Sequence, residues 1–374
     1  MTELSRAAVL DRPRGTFAVE TFPVPEPGPG GFLLRTELAG TCATDTHIYL
    51  GEVPGIPYPV VMGHEFVGTI EALGSGVTHD TEGTPVRAGD RVVPMPATPC
   101  GVCYECVVKP GPVVNCDSYD VIGFTDNSVR SLAGGWSEII DHRNPRTRFF
   151  KTALPAAMAV LAEPFSTSVH GVQRVGIKPG DTVLIQGSGT VGLLAIAAAI
   201  THGATRVIVI GGPKRRLEVA RAFGADVTID IADERDSDAR IKIVKEATVG
   251  GRGVDVAIEA AGVPSAVVEG ISCLRNGGRY LEVGHFADVG TVPLNPNKHL
   301  LANNITLAGS SGYGADHFLQ SLRLLERRAF PYELLLTHTL PLARVRDAVL
   351  ALTPEGGWKI DGEEVGKIAI DPTA

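Results

Sequence analysis

From about residue 165 the chain alternates short apolar segments with longer helical ones, and this pattern constrains the fold more than any other feature. Residues 182–186, 207–210 and 254–259 are rich in Val and Ile, and helix-length segments follow the first two. Strands alternating with helices in this way are typical of βαβ units around a parallel sheet. The pattern therefore predicts an α/β region with a parallel sheet from about residue 165.

A glycine motif opens the first of these helices. Gly187, Gly189 and Gly192 form the pattern Gly-x-Gly-x-x-Gly directly after a strand, with Thr190 and Val191 between the last two glycines. In dinucleotide-binding domains such glycines permit a tight turn and the close approach of a pyrophosphate, whose charge the helix N-terminus stabilises. We therefore predict that these five residues contact a nicotinamide dinucleotide. The alternative is a flexible loop that binds no cofactor.

The second strand of this region ends without the acidic residue that commonly binds the adenosine ribose. Gly211 and Gly212 occupy that position, and Lys214, Arg215 and Arg216 follow. A carboxylate would repel a 2′-phosphate, whereas nearby cations would accommodate one. The sequence therefore favours NADP slightly over NAD. In the alternative, Arg216 packs against an unphosphorylated ribose and the other two cations lie on a solvated helix start.

The chain before residue 165 has a different character. Residues 32–38, 65–73 and 90–94 are β-type runs separated by turns rich in Gly and Pro. Such punctuation predicts a mostly β domain with antiparallel pairing. After residue 310 an amphipathic helix and a short β-type tail complete the chain.

Four cysteines are concentrated in one short segment. Cys100, Cys103, Cys106 and Cys116 lie within seventeen residues, and the other two cysteines stand far apart. Four thiolates at this spacing can surround one zinc ion without help from distant chain, and such a closed shell leaves no position for a substrate. The segment predicts a structural zinc site. An iron–sulfur cluster and reduced free thiols are the alternatives.

A second candidate metal site is dispersed along the sequence. Cys42 begins the segment Cys-Ala-Thr-Asp-Thr-His, His64 is followed by Glu65, and Glu163 precedes a proline. Each residue alone is unremarkable, because a His beside a Glu is more often a structural pair. Together, a thiolate, an imidazole and a carboxylate form a suitable catalytic zinc shell with one position open.

On these motifs and their order, the chain resembles the zinc-containing medium-chain alcohol and polyol dehydrogenases over nearly its whole length. The resemblance implies a GroES-like, mostly β catalytic domain over residues 1–164, a Rossmann coenzyme domain over 165–310, and a return of the chain to the catalytic domain over 311–374. It places the active site between the two domains. It also implies NAD(P) as cofactor, two zinc ions per subunit, and a homodimer or homotetramer.

The resemblance assigns roles to residues of the dispersed site. Cys42 and His64 correspond to direct ligands of the catalytic zinc, and Glu163 to an acid that binds zinc directly or through water. Glu65 corresponds to a glutamate that can approach the metal and exchange with substrate or water. Asp45 resembles the carboxylate that orients a ligand histidine, which fixes the tautomer of the ring.

Further residues are assigned in the same way. Thr44 and His47 resemble a relay that carries the proton of the alcohol to solvent, since a histidine with a pKa of ~6.5 can release a proton near neutrality. Thr44 as a helix cap and His47 as a surface residue are the alternatives. Gly284 corresponds to backbone near the nicotinamide, and Lys367 to a basic residue that reaches the pyrophosphate. Phe124, Trp136, His285 and Tyr313 either line the substrate cleft or pack in the core.

Three features depart from the family pattern. The last gap in the cysteine segment has nine residues, where the family usually has seven, and a longer loop costs little closure entropy. The acid expected at Gly211 is missing. Glu163 stands where many members have cysteine, a feature of polyol dehydrogenases that does not by itself identify the substrate.

Composition excludes several other classes of protein. The 34 Lys and Arg against 42 Asp and Glu give a formal charge of -8, and the scattered cations argue against nucleic acid as a partner. No apolar run approaches the ~20 residues of a membrane-spanning helix, and the N-terminus lacks the apolar core of a secretory signal. We therefore expect a cytoplasmic enzyme that acts on a small alcohol or carbonyl compound.

Two other functions stay open from the sequence alone. The first is a zinc-independent enone or quinone reductase of the same fold, which would have no need of Cys42, His64 and Glu163 together. The second is a non-enzymatic dinucleotide-binding sensor or scaffold, which would keep only the four-cysteine zinc.

Overall fold

A computed structural model describes residues 3–125, 131–353 and 355–374. The chain divides into two compact units by its internal contacts. The first comprises Met1–Glu163, Tyr313–Arg327 and Leu336–Ala374, and the second comprises Pro164–Gly312 and Arg328–Leu335. The boundaries expected from the sequence, 164/165 and 310/311, lie close to two of these divisions. The short segment Arg328–Leu335 differs, because it contacts the second unit although it was expected in the returning part of the first.

The helices and strands follow one another along the chain in three stretches. Those up to residue 159 are β1 (Leu4–Leu10), β2 (Phe17–Pro23), β3 (Phe32–Thr41), α1 (Ala43–Leu50), β4 (Val60–Val61), β5 (Glu65–Leu73), β6 (Arg91–Pro94), β7 (Ala97–Thr98), α2 (Tyr104–Val107), β8 (Asp120–Val121), β9 (Ile139–His142), β10 (Phe149–Lys151) and α3 (Ala156–Ala159). Those from 162 to 309 are α4 (Ala162–Val175), β11 (Thr182–Gln186), α5 (Thr190–Thr201), β12 (Arg206–Gly211), α6 (Lys214–Ala222), β13 (Val227–Asp230), α7 (Ser237–Glu246), β14 (Val254–Glu259), α8 (Pro264–Cys273), β15 (Leu274–Glu282), α9 (Pro296–His299) and β16 (Thr306–Gly309). The remainder are α10 (Ala315–Arg327), β17 (Leu336–Pro341), α11 (Val345–Ala351), β18 (Lys359–Ile360), β19 (Glu363–Glu364) and β20 (Lys367–Asp371).

The first unit is built on mostly antiparallel sheets, as the β-type runs predicted, and the pair β17–β20 is parallel. Its largest sheet has the strand order β10-β6-β5-β3-β20-β17, with β9 also paired to β3, and a second sheet has the order β2-β1-β4. The large side chains of Phe32, Phe66 and Trp136 are fully buried in its core. β20 lies beside β3, and β17 beside β20, so the end of the chain forms part of this sheet.

The second unit is a doubly wound parallel sheet. Its strand order is β13-β12-β11-β14-β15-β16, and each neighbouring pair is parallel. The central strand β11 is continuously apolar at Val183–Ile185, which are fully buried, because helices cover both faces of such a sheet. This order is that of a dinucleotide-binding fold, so the predicted fold class is confirmed.

No helix among the described residues combines the length and the apolar character needed to cross a bilayer.

Candidate functional site

Strand register brings the dispersed candidate residues of the first unit together. In the antiparallel pair β3–β5, Gly40 lies opposite Glu65, so the end of β3 that leads into Cys42 meets the start of β5 just after His64. On the other side of β3, Ile368 of β20 lies opposite Thr41. The start of β20 therefore reaches the same end of the sheet.

Cys42 stands at the N-terminal cap of α1, directly after β3. Its backbone N–H donates to Asp45 Oδ2 at 2.8 Å, and Thr44 Oγ1 lies 3.6 Å from its Sγ atom. Asp45 is fully buried, so one carboxylate both closes the first turn of the helix and reaches into the site. The cap residue of α1 is Cys42 and not Thr44. The Thr44 hydroxyl lies beside the Cys42 thiol instead.

Cys42, His64 and Glu65 form a set of metal-ligand atoms. One atom of each lies within 4.8 Å of the others. The Nδ1 atom of His64 faces Asp45 Oδ1 at 3.5 Å. These two atoms and Glu65 Oε1 are buried and have no hydrogen-bond partner. A thiolate, an imidazole and a carboxylate are the donors that zinc takes in proteins, and unpaired buried polar atoms are costly. The donor set therefore fits a zinc ion.

The electrostatics of this set also favour a cation. Burial lowers the pKa of His64, but the neighbouring Asp45 carboxylate and the Cys42 thiolate outweigh it, so that the pKa lies well above its ordinary value. Negative groups that stabilise an imidazolium in this way would stabilise a metal ion in its place.

Glu163 lies outside the compact set and is held by a residue whose role the sequence left open. Tyr313, which is 4% exposed, donates its hydroxyl to Glu163 Oε1 at 2.9 Å. Burial raises the pKa of Glu163 to about 7. Tyr313 also accepts the backbone N–H of Val113 at 3.2 Å through its carbonyl oxygen. Its side chain and main chain thus contact the acid and the cysteine segment respectively.

Lys367 is buried beside the same residues. It is 3% exposed, its ammonium group forms an ion pair with Glu65, and it donates to the carbonyl oxygen of Thr41 at 3.0 Å. Burial lowers the pKa of Lys367, but Glu65 and Cys42 outweigh this, and the net pKa is raised. Its expected contact with a pyrophosphate stays a prediction. Its pairing with Glu65 was not foreseen, because 302 residues separate the two.

The two residues of the expected proton relay lie three positions apart on α1 and therefore on one face of the helix. Thr44 is buried, whereas His47 is partly exposed, and its Nδ1 atom lies 2.6 Å from Glu52 Oε2. Sequence reasoning missed Glu52, although its spacing of five residues places it within reach of the same helix end.

Among the other cleft candidates, the ring of Phe124 meets that of His64 edge-on, with centroids 5.2 Å apart. Trp136 is fully buried in the core.

The four cysteines form a compact cluster of sulfur atoms. The Sγ atoms of Cys103 and Cys106 lie 3.4 Å apart, those of Cys103 and Cys116 3.8 Å, and those of Cys100 and Cys106 3.9 Å. None is in a disulfide, and a zinc–sulfur bond of ~2.3 Å would place tetrahedral sulfur atoms ~3.8 Å apart. The donors therefore fit one tetrahedral zinc ion.

The acid–base properties of the cluster also call for a cation. Backbone amides of Val102 and Cys103 lower the pKa of the Cys100 thiol to about 6, whereas desolvation and the neighbouring thiols raise that of Cys106 to about 12. Four thiols this close cannot all ionise unless a positive charge lies among them.

The glycine motif in the second unit has the shape that a pyrophosphate site requires. Gly187 has a φ of 104°, and a side chain there would meet the backbone of Ala260 at 2.7 Å. A side chain at Gly192 would meet the carbonyl oxygen of Gly187 at 2.0 Å, so this residue permits the helix to approach the strand. Gly189 has open space at its Cβ position and caps α5, whose residues Thr190 and Val191 follow.

The turn after β12 contains the predicted ribose contacts. Gly211 ends the strand, Gly212 exchanges hydrogen bonds with the Ser188 hydroxyl, and Lys214 begins α6. Lys214 and Arg215 are exposed, whereas Arg216 is partly buried. Asp230 was missed from the sequence: it is the register partner of Gly211, and its Oδ1 atom lies 3.4 Å from the Cβ position of Gly212. A carboxylate thus lies near this turn although it comes from the next strand.

Gly284 follows β15, as expected, and its N–H donates to Glu282 at 3.0 Å. His285 comes next and contacts the same carboxylate.

Comparison with known families agrees with these features. Residues 28–152 match the family described as alcohol dehydrogenase GroES-like domain, and residues 190–327 match zinc-binding dehydrogenase. The chain is 36% identical to a 5-exo-hydroxycamphor dehydrogenase of Pseudomonas putida, with 89% of this chain and 90% of the relative aligned. It is 33% identical to an erythritol/L-threitol dehydrogenase of Mycolicibacterium smegmatis, over 91% and 92%.

Solved structures show the same likeness. An alcohol dehydrogenase from Thermotoga maritima superposes with a TM-score of 0.89 at 28% identity, covering 99% of both chains. A zinc-binding dehydrogenase from Sinorhizobium meliloti bound to NADP superposes with a TM-score of 0.83 at 27% identity, covering 99% of this chain and 100% of the other.

Proposed function

Because the chain belongs to the zinc-dependent alcohol and polyol dehydrogenases and is an oxidoreductase that moves hydride between an alcohol and NAD(P), we propose that Cys42, His64 and Glu65 hold its catalytic zinc. The observation that carries this proposal is the set of three donor atoms within 4.8 Å. Glu163, held by Tyr313, completes the site directly or through a water molecule. A second, structural zinc is bound by the four cysteines.

A zinc ion bound here would act as a Lewis acid toward an alcohol or carbonyl oxygen, and the nicotinamide would exchange the hydride. The chain supplies the surroundings. Asp45 orients His64 through Nδ1, which leaves Nε2 for the metal. Lys367 forms an ion pair with Glu65 and so balances part of the negative charge of this donor set.

We propose that Thr44 and His47 pass the proton of the alcohol to solvent. The Thr44 hydroxyl lies beside Cys42 Sγ, and the partly exposed His47 is in contact with Glu52. A buried hydroxyl can accept and donate a proton in one step, and an imidazole at the surface can release it to water.

We propose that the Gly187–Gly192 turn binds the pyrophosphate of NAD(P) and that Gly284 lies near the nicotinamide. We also propose a slight preference for NADP over NAD. The cations Lys214, Arg215 and Arg216 support the 2′-phosphate. Asp230 opposes it, because a carboxylate repels a phosphate.

For the substrate we propose a secondary alcohol or polyol. The names of the aligned relatives denote a bicyclic secondary alcohol and tetritols.

The first experiment is the zinc content of the purified chain, measured together with NAD and NADP titrations and a panel of secondary alcohols, polyols and ketones. We expect about two zinc ions per chain and turnover with at least one substrate class. One zinc ion without turnover would refute the proposed catalytic site and leave only the cysteine cluster.

Charge variants test the cofactor preference. Arg216→Ala should weaken NADP binding about tenfold relative to NAD, and Asp230→Asn should strengthen it. Unchanged ratios of NADP to NAD affinity in both variants would refute the assignment of this turn.

Fractionation of cells tests the expected cytoplasmic location, and light scattering on the purified protein tests whether it is a dimer or a tetramer.

A further inference from the structure

A third group of metal-binding side chains lies in the second unit and shares no residue with the two zinc sites. Glu259 is the last residue of β14 and Glu282 the last residue of β15. The two are register partners on neighbouring parallel strands, so their side chains lie on the same face of the sheet. Like charges directly opposite one another destabilise a sheet. A proton, an imidazolium or a metal ion beside the two carboxylates would relieve this repulsion.

His285 lies beside both carboxylates. Its Nδ1 atom is 2.8 Å from Glu282 Oε1 and 3.4 Å from Glu259 Oε2. One ligand atom from each of the three residues lies within 4.8 Å of the others. Separations of this size are those of oxygen and nitrogen atoms that share one metal ion at bond lengths of ~2.0–2.2 Å.

Glu259 points an unsatisfied oxygen into the group. The residue is fully buried, and its Oε1 atom accepts the backbone N–H groups of Ala261 and Gly262 at 2.8 and 2.9 Å. Its Oε2 atom is buried without a hydrogen-bond partner. A side chain at Gly284 would lie 2.3 Å from this Oε2 atom, so the glycine keeps that face of the carboxylate uncovered.

The other two residues are also held in place before any ion binds. Glu282 Oε1 accepts the backbone N–H groups of Gly284 and His285 at 3.0 and 3.2 Å, and the Tyr280 hydroxyl donates to Oε2 at 3.1 Å. Such contacts to the ligand groups orient them toward a metal and reduce the cost of binding it.

We propose that Glu259, Glu282 and His285 bind a divalent transition-metal ion of the Mn²⁺ or Zn²⁺ class. Two carboxylates and one imidazole suit these ions, whereas Mg²⁺ and Ca²⁺ prefer oxygen donors alone. The side chains of His285 and Glu282 are 19% and 30% exposed, so the ion has a route from solvent and the site can exchange it. The bound ion would join the loops that follow β14 and β15, at the edge where doubly wound sheets bind their ligands.

The test is a Mn²⁺ titration of the purified, zinc-loaded full chain, followed by the electron paramagnetic resonance signal of free Mn²⁺. The wild type should bind about one Mn²⁺ per chain with a Kd below about 1 mM at neutral pH. Glu282→Gln and His285→Ala should each weaken binding at least about tenfold. Zinc content is measured before each titration, so loss of metal from the cysteine-containing sites is recognised.

The matched control is Glu246→Gln. This carboxylate is 66% exposed and pairs with Lys242 at 3.8 Å, so the variant should bind Mn²⁺ as the wild type does. The proposal is overturned if the wild type binds no Mn²⁺ below about 1 mM, or if both site variants bind it as tightly as the control. Either result leaves the proposed alcohol chemistry untouched, because that chemistry is read from turnover.

Discussion

The two proposed zinc sites are built in opposite ways. The four-cysteine cluster takes all its donors from residues 100–116, and three of the four cysteines are partly exposed. The catalytic set takes its donors from Cys42, His64 and Glu65, with Glu163 nearby, and Glu65 is fully buried. The first site depends on the spacing of one loop, whereas the second depends on the register of a sheet.

Because of this difference, we expect the four-cysteine site to contribute to stability and the catalytic set to contribute to the reaction. A shell of four thiolates is closed and can only hold its loop together, whereas a mixed shell of three donors leaves a position open. Tyr313 contacts both regions, through its main chain to Val113 and through its hydroxyl to Glu163. Substitutions in the two sites should therefore have different signatures.

The largest effect on turnover is expected for Cys42→Ser. Serine is a good N-cap residue, so α1 should form as before, but the thiolate donor is lost. We expect kcat/KM to fall by more than about 100-fold with one zinc ion lost and the melting temperature nearly unchanged. Steady-state kinetics, zinc analysis and calorimetry check this. Retention of full turnover would show that the reaction does not use this site.

The next largest effect is expected for Cys103→Ser, which should lower stability more than turnover. Loss of one thiolate opens the structural shell, whose metal binding contributes folding free energy. The melting temperature should fall by more than about 5 °C, and kcat of the folded fraction should change much less than in Cys42→Ser. Cys273→Ala, which removes a buried thiol outside both proposed zinc sites without introducing a hydroxyl, is the control and should keep both zinc ions. If Cys103→Ser kept its melting temperature and both zinc ions, the four-cysteine cluster would not be a zinc site.

A smaller effect is expected for Asp45→Asn. The amide keeps the shape of the side chain but removes the negative charge that faces His64 Nδ1. Zinc affinity or kcat should fall about 10- to 100-fold, as for other partners of ligand histidines. Competition with a chelator measures the affinity. Asp347→Asn, on the surface beside Arg344, should be neutral, and equal effects in both variants would contradict the role of Asp45.

The smallest effect is expected for Tyr313→Phe, which removes the hydrogen bond to Glu163. A bond of this kind contributes about 1 kcal/mol, so kcat/KM should fall roughly fivefold. Co²⁺ substituted for zinc should also show an altered visible spectrum, which a purely structural role would not produce. Tyr58→Phe removes a comparable bond, to the Ile48 carbonyl, and should leave the spectrum unchanged. Identical spectra for all three proteins would remove Tyr313 from the site.

Much of the fold was predictable from local patterns. The β-type run at residues 65–73 coincides with β5, and the strand–helix alternation after 165 became a parallel sheet. The glycine turn was also predictable, because Gly187 and Gly192 are required by steric conflicts that a side chain would create. These features are encoded within a few residues of one another.

Contacts across long stretches of sequence were not predictable in the same way. Lys367 pairs with Glu65 only because β20 returns beside β3. Asp230 lies near the turn after β12 only because β13 is its neighbour in the sheet, and this carboxylate weakens the case for NADP. A pattern in one segment contains no information about which distant strand will lie next to it.

The sequence by itself therefore determined the fold class and the four-cysteine segment, and it named Cys42, His64, Glu65 and Glu163 as candidate ligands of a catalytic zinc. Only the tertiary structure shows that donor atoms of Cys42, His64 and Glu65 lie close together, while Glu163 accepts a hydrogen bond from Tyr313. Only it revealed the group of Glu259, Glu282 and His285. The physical reason is that spacing along the chain specifies local geometry, whereas strand register specifies which charges are buried together and must be compensated.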